Sequence, residues 1–287
     1  MILITGVNGH LGSEVINFLR KNNSDASIAG LVRSEEKARS LEKRGVEIRI
    51  GDYRDANSIK KAMKGIKILL LISSSTIENR VGQHKNVINA AKEEGVKQIF
   101  YTSMLRADKL LSPLNADHYE TEKILINSGI PYTIHRHTFY TGFFPVILGN
   151  ALETGEWVFP GNGKTLNFAF RTDMAEALAR NLIEPENHQK KVYEITSLKA
   201  YTFKEYAEMI SKFSGKQLTY IDLPIEDFTE RLKKAGMPDD VIALNTIVAE
   251  TIAGGALDYT SDDLENLLGR KPKETSMFLE NFINYER

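Results

Sequence analysis

The segment Thr5-Gly6-Val7-Asn8-Gly9-His10-Leu11-Gly12 constrains the fold of this chain more than any other. Its glycines are spaced G-x-x-G-x-x-G. It follows an apolar run over residues 1–5 and leads into Leu11, Val15, Ile16, Phe18 and Leu19 at helical spacing. A strand, a glycine loop and a helix in that order make an anion site. Bare backbone N–H groups and the positive end of the helix face the ligand, and the missing side chains let a phosphate approach. We therefore expect Gly6, Val7, Asn8, Gly9, His10, Leu11 and Gly12 to hold the pyrophosphate of a dinucleotide.

The same alternation continues. Residues 27–32, 46–50, 66–72 and 98–102 are apolar on consecutive positions, as in strands covered on both faces. Helical patterns lie between them: Ser34 before Glu35 and Glu36 reads as a cap, and Val81, Val87, Ile88 and Ala91 share one face. This rhythm gives an α/β fold, a Rossmann-type doubly wound parallel sheet. Further on, 130–135, 167–170 and 192–196 read as strands. Asp173 with Glu176 and Thr202 with Glu205 match capping boxes. A chain of 287 residues accommodates a second lobe. We expect a nucleotide-binding domain over 1–141 plus 166–197, and a smaller, mainly helical substrate lobe over 142–165 plus 198–287.

Composition narrows the function. A net charge of −1 offers no basic field for a nucleic acid. The absence of cysteine removes disulfides, thiolate metal sites and a cysteine nucleophile. No His, Asp or Glu group has metal-ligand spacing, so no metal is expected. The first residues carry no basic stretch or cleavage site, and residues 68–72 are far too short a run for a membrane span. A cytoplasmic protein without a membrane partner is expected, its oligomeric state left open.

Cofactor selectivity is read at the end of the second strand, about twenty residues beyond the glycines. An acid there would hold a ribose 2′-OH. This chain has Leu31-Val32-Arg33, and a guanidinium suits a 2′-phosphate. NADP(H) is therefore preferred, with NAD(H) still possible. Asp52 and Tyr53 after the third strand, and Ser73, Ser74 and Ser75 after the fourth, stand at strand ends where such ligands bind.

The catalytic signature is ambiguous. Ser103 follows the fifth strand, and Tyr119-Glu120-Thr121-Glu122-Lys123 spells the Y-x-x-x-K of short-chain dehydrogenases, in which Lys lowers the pKa of Tyr. Those motifs usually continue to a Glu before the sixth strand. Anchored on Ser128-Gly129-Ile130-Pro131-Tyr132-Thr133, that Glu is Glu122, the Lys slot is His118 and the Tyr slot is Leu114. In this register Tyr119 and Lys123 lie on the helix surface.

Residues 5–12, 69–75 and 83–96 carry a resemblance over essentially the whole chain, together with His118-x-x-Thr121-Glu122-Lys123, 129–133 and Arg171-Thr172-Asp173. The sequence resembles the NmrA-like branch of atypical short-chain dehydrogenases, and within it the NAD(P)H:quinone oxidoreductases and triphenylmethane reductases. The resemblance implies an NADP-type cofactor, a site often lacking the Tyr-Lys pair, and Thr138, Phe139 and Tyr140 beside the nicotinamide. A quinone-like acceptor needs little acid catalysis. Phe139, Tyr140, Phe143, Phe144 and Trp157 are candidates for an apolar slot, although any one such aromatic is more often core. His118, His137, Ser103 and Tyr140 are candidate donors. His135 reads as a structural histidine inside a strand, and His10 as an exposed loop residue. Two other functions remain open at this point: a binding protein that senses NADP(H) without turnover, and a nucleoside-diphosphate-sugar epimerase.

Overall fold

The computed structural model describes residues 1–287 apart from Ser24, Glu35, Lys37, Ile77, Glu286 and Arg287, with Arg39, Ser40 and Tyr285 described by their backbone. Glu35, part of the cap read at Ser34, therefore lies outside the described residues.

Seven strands form the main sheet. These are β1 (Ile2–Ile4), β2 (Ile28–Val32), β3 (Glu47–Ile50), β4 (Ile68–Leu71), β5 (Gln98–Met104), β6 (Tyr132–His137) and an edge strand, Lys191–Ile195. From the edge strand inward the order is β6, β5, β4, β1, β2, β3. The pairings of β1 with β2 and β4, of β2 with β3, and of β4 with β5 are parallel. This is the Rossmann strand order, whose direction reverses between β1 and β4, where open sheets of this kind bind ligands.

Alternate residues of the strands explain the unbroken apolar runs. Leu3, Ala29, Leu31, Leu69, Leu71, Ile99 and Tyr101 join one core with Ile59, Ala62, Val87, Ile88, Ala91 and Leu125. Those partners come from three helices, α3 (Ala56–Ala62), α4 (Arg80–Glu93) and α5 (Pro113–Asn127). The intervening residues Ile4, Ile28, Leu70 and Phe100 are equally buried, as are Val15, Ile16 and Leu19 of α1 (His10–Asn22). With both faces covered, β1, β2 and β4 carry only apolar residues and glycine, whereas β3, expected to be apolar throughout, alternates Glu47-Ile48-Arg49-Ile50 and is exposed at both ends. The short α2 (Arg39–Glu42) precedes β3.

The chain divides into two compact units. The first comprises residues 1–104, 117–136 and 172–193, and the second 105–116, 137–171 and 194–287. Segments 105–116, 137–141, 166–171 and 194–197, expected with the nucleotide domain, group with the second unit. Its strands are short: Phe168–Ala169 pairs with Phe139–Tyr140, Tyr201–Thr202 with Thr165–Leu166, and Thr219–Ile221 with Glu156–Val158. Its core is aromatic, with Phe144, Trp157, Phe159, Phe168, Phe203 and Tyr206 almost wholly buried.

Two expectations of detail are corrected. Segment 167–170 does not rejoin the main sheet, because Phe168–Ala169 pairs within the second unit; helix Arg171–Ile183 and the edge strand lead back to the sheet instead. Asp173 lies inside the first turn of that helix rather than at its cap, and Glu176 pairs with Arg180 four residues on. The box at Thr202 and Glu205 is present, with both reciprocal hydrogen bonds, and opens helix Phe203–Ser214.

Candidate dinucleotide site

The three loop glycines meet three different demands. Gly6 has φ +62°, the left-handed region that side chains rarely adopt. A Cβ on Gly12 would lie 2.6 Å from the Gly6 carbonyl oxygen, so a bare residue lets α1 pack on the loop. A Cβ on Gly9 would meet only the Gly6 oxygen, at 3.1 Å, and Gly9 is exposed. Its bare face is open to a ligand.

Gly9 is also the N-cap of α1, in extended conformation at φ −83° and ψ 163°. No side chain caps this end, and the first turn contains no acid. The N–H groups of the first turn therefore keep their positive field for an anion. Val7 and Leu11 are buried, so they offer backbone alone, whereas Asn8 and His10 are exposed. Thr5 ties the loop to the end of β4: its hydroxyl accepts from the Ile72 N–H at 2.8 Å, and its own N–H donates to the Leu70 carbonyl at 3.0 Å. These features fit the pyrophosphate of a dinucleotide.

Arg33 is exposed at the end of β2. Asp52 is gripped by Arg54, whose backbone N–H, Nε and Nη2 donate to it at 2.9, 3.1 and 2.7 Å. Those hydrogen bonds hold the Asp52 carboxyl down at about 2. Tyr53 turns its hydroxyl inward to the Ile72 carbonyl at 3.0 Å, and burial raises its pKa well above the usual tyrosine range.

In the loop after β4, Ser73 donates its N–H to Thr102 Oγ1 at 3.0 Å. Ser74 is turned toward α4. Its N–H goes to His84 Nε2, its hydroxyl to Gln83 Oε1 and its carbonyl to Arg80 Nε, at 2.9, 3.0 and 3.1 Å. The hydroxyl also accepts from the Thr76 N–H at 3.2 Å. Ser75 is exposed.

One face of α5 carries His118, Thr121, Glu122 and Leu125, at spacings of three and four. His118 Nδ1 lies 2.8 Å from the hydroxyl of Tyr101, a buried residue of β5. Thr121 Oγ1 lies 3.0 Å from His84 Nδ1. Glu122 receives Arg136 Nε and Nη2 at 2.9 and 2.7 Å, together with Ser103 Oγ at 2.6 Å. Ser103 is thereby corrected as a donor to substrate, because its hydrogen is committed to a carboxylate that is 1% exposed. Lys123 is half-exposed, paired with Glu120 at 2.5 Å, and its Nζ stands 5.4 Å over the ring of Tyr119. Its ammonium is thus engaged by the Glu120 carboxylate and the face of that ring.

The remaining candidates belong to the second unit. Thr138 donates its hydroxyl to the Asn167 carbonyl at 2.6 Å and its N–H to the Ile195 carbonyl at 3.0 Å. Phe144 and Trp157 are corrected as slot residues. They are 0% and 1% exposed, 5.4 Å apart, and the Trp157 indole N–H is bound to the Ile147 carbonyl. Phe139, Tyr140 and Phe143 are half-buried, with Phe139 and Phe143 edge to face at 5.1 Å. His137 packs edge-on against Tyr140, and burial holds its pKa down at about 3. Burial pushes the Tyr140 hydroxyl up to about 12, which makes it a weak proton donor near neutrality but leaves it a hydrogen-bond donor. In the first unit, His135 is held by Asn181 at 2.9 Å, both buried, as expected of a structural histidine.

Among the described residues, no group of three or more His, Cys, Asp or Glu could hold a metal ion. No described helix is long and apolar enough to cross a membrane. Sequence reasoning passed over His84 and Tyr101. Each lies inside a regular helix or strand pattern, and only the fold shows what its polar end meets.

The chain matches the NmrA-like family over residues 1–279. It is 42% identical to quinone oxidoreductase 2 of Escherichia coli (strain K12) over 268 residues, covering 93% of this chain and 92% of that protein. Among solved structures it is similar to an NADPH-dependent quinone oxidoreductase from Escherichia coli complexed with NADPH, with TM-score 0.92 and 38% identity over 99% of this chain and 100% of the other. It is also similar to the Citrobacter sp. triphenylmethane reductase complexed with NADP(H), with TM-score 0.91 and 34% identity over 98% and 99%.

Proposed function

The chain belongs to the NmrA-like family, and on that footing we propose that it is an NADPH-dependent oxidoreductase acting on a quinone-like or conjugated small-molecule acceptor. The observation that carries the cofactor part is the bare, uncapped N-terminus of α1 behind Gly6, Gly9 and Gly12. Bound NADPH would supply the hydride. The first-turn N–H groups of α1 hold the pyrophosphate, and Arg33 pairs with the 2′-phosphate. Asp52 and Tyr53 border the adenine side, and Ser73 and Ser75 flank the loop next to the switch point.

Reduction of a quinone to a hydroquinone consumes one hydride and one proton. The ring is already electrophilic, so orientation and a hydrogen bond to a carbonyl oxygen are the protein's main tasks. We assign the orienting donor to His118, on the face of α5 that meets β5. The epimerase reading is not favoured: it needs Ser103, Tyr119 and Lys123 to act together, yet Ser103 is engaged by Glu122 and Lys123 by Glu120.

Titration of the protein with NADPH and with NADH tests the cofactor assignment. Saturable binding of NADPH, tighter than NADH, is expected. Binding of neither nucleotide would overturn it.

A further inference from the structure

We propose that His84 is a positioning residue of the dinucleotide site, the centre of a ring of polar contacts, buried at His84, Thr121 and Arg80, that fixes the backbone of Ser74 and so the loop 73–75. The inference rests on the cofactor reading given above.

The ring can be followed atom by atom. The Ser74 N–H can only donate, so His84 Nε2, at 2.9 Å, is the acceptor. The imidazole hydrogen is then on Nδ1, which donates to Thr121 Oγ1 at 3.0 Å. Thr121 passes its own hydrogen to the Asp117 carbonyl at 3.0 Å. The Asp117 carboxylate stands 3.8 Å from Arg80 Nη1, and Arg80 Nε donates back to the Ser74 carbonyl at 3.1 Å. The path begins and ends on one peptide residue. It runs through α4 and α5, and α5 also carries His118.

The arrangement is not what a helix–strand contact requires. His84 and Thr121 are 0% exposed and Arg80 is 7% exposed, so an imidazole, a hydroxyl and a guanidinium are desolvated at a place where apolar side chains would pack at less cost. The ring binds both backbone groups of Ser74 from the α4 side. The loop thereby acquires a fixed position through side chains of α4. Burial, with the charge of Arg80 beside it, holds His84 down at about 3. The imidazole stays neutral and keeps its acceptor nitrogen toward Ser74.

Three variants test this: His84→Leu, which removes both hydrogen bonds; His84→Gln, whose amide supplies one acceptor and one donor; and Thr121→Val, which removes the hydroxyl alone. NADPH affinity by titration and the Tm of the free protein are both read. We expect His84→Leu and Thr121→Val to bind NADPH about tenfold more weakly, and His84→Gln to recover most of the loss. If His84→Leu does not fold, Thr121→Val carries the same test. A folded His84→Leu or Thr121→Val protein with lowered Tm but wild-type NADPH affinity would reduce the ring to packing and overturn the proposal. So would a folded His84→Gln protein as impaired as the leucine variant. Failure of the wild-type protein to bind NADPH would instead overturn the reading on which the proposal rests.

Discussion

Gly9 and Gly12 stand three residues apart in one loop, yet a methyl group at each meets different surroundings. At Gly12 it lies 2.6 Å from a backbone oxygen, and neither partner can swing away. Gly12→Ala is expected to destabilise the fold by about 1–3 kcal/mol, the usual scale of overpacking, read as a lowered Tm of the free protein. At Gly9 the methyl group has only one close neighbour, and the residue is exposed where the proposed pyrophosphate would approach. Gly9→Val is expected to abolish NADPH binding while the protein stays folded; unchanged affinity would contradict the site. Arg33 is the second test at this scale. A charge-assisted contact is worth about 1.5–3 kcal/mol, so Arg33→Ala is expected to weaken NADPH by about ten- to a hundredfold and NADH hardly at all. Paired titrations check it, and equal losses for both nucleotides would remove Arg33 from the discrimination.

At the scale of the element, α5 decides between two catalytic readings. His118, Thr121 and Glu122 each reach a partner on β5, α4 or β6, while Tyr119 and Lys123 occupy the next stripe. Tyr119→Phe is expected to keep quinone reduction within about a few-fold of wild type, and Lys123→Ala likewise, since an exposed ion pair contributes little. His118→Ala is expected to change turnover or acceptor affinity. The reverse order in steady-state rates would restore the Tyr-Lys pair. This register was legible in the sequence because Glu122 could be anchored on the turn before β6. Strands β1, β2 and β4 were legible too, since burial on both faces leaves an unbroken apolar signature, while the partly exposed β3 keeps only its alternating isoleucines. What was not legible depends on tertiary contact. An aromatic residue reads alike in a slot or a core, so Phe144 and Trp157 could not be separated from Phe139 and Phe143. A serine at a strand end reads alike whether it faces ligand or, like Ser74, a neighbouring helix.

The whole molecule carries a pH dependence set by its buried imidazoles. His84 and His137 both lie near 3 in the folded protein, against 6.5 for an ordinary imidazole. Below pH 6.5 the unfolded chain takes up protons that the folded chain refuses. Their contribution is therefore fully present above about 6.5 and is lost as the pH falls toward 3, by up to about 1.4 kcal/mol per pH unit for each. Denaturant midpoints from pH 7 to 4 check this, and His84→Gln should flatten the slope. A stability independent of pH across that window would contradict the burial of these two rings as neutral groups. The central claim, that this chain turns over NADPH and does not merely bind it, is tested most directly by following NADPH oxidation with and without an added quinone. Many turnovers per protein molecule, dependent on the quinone, are expected. Saturable NADPH binding with no quinone-dependent oxidation would contradict the claim and leave a nucleotide sensor in its place.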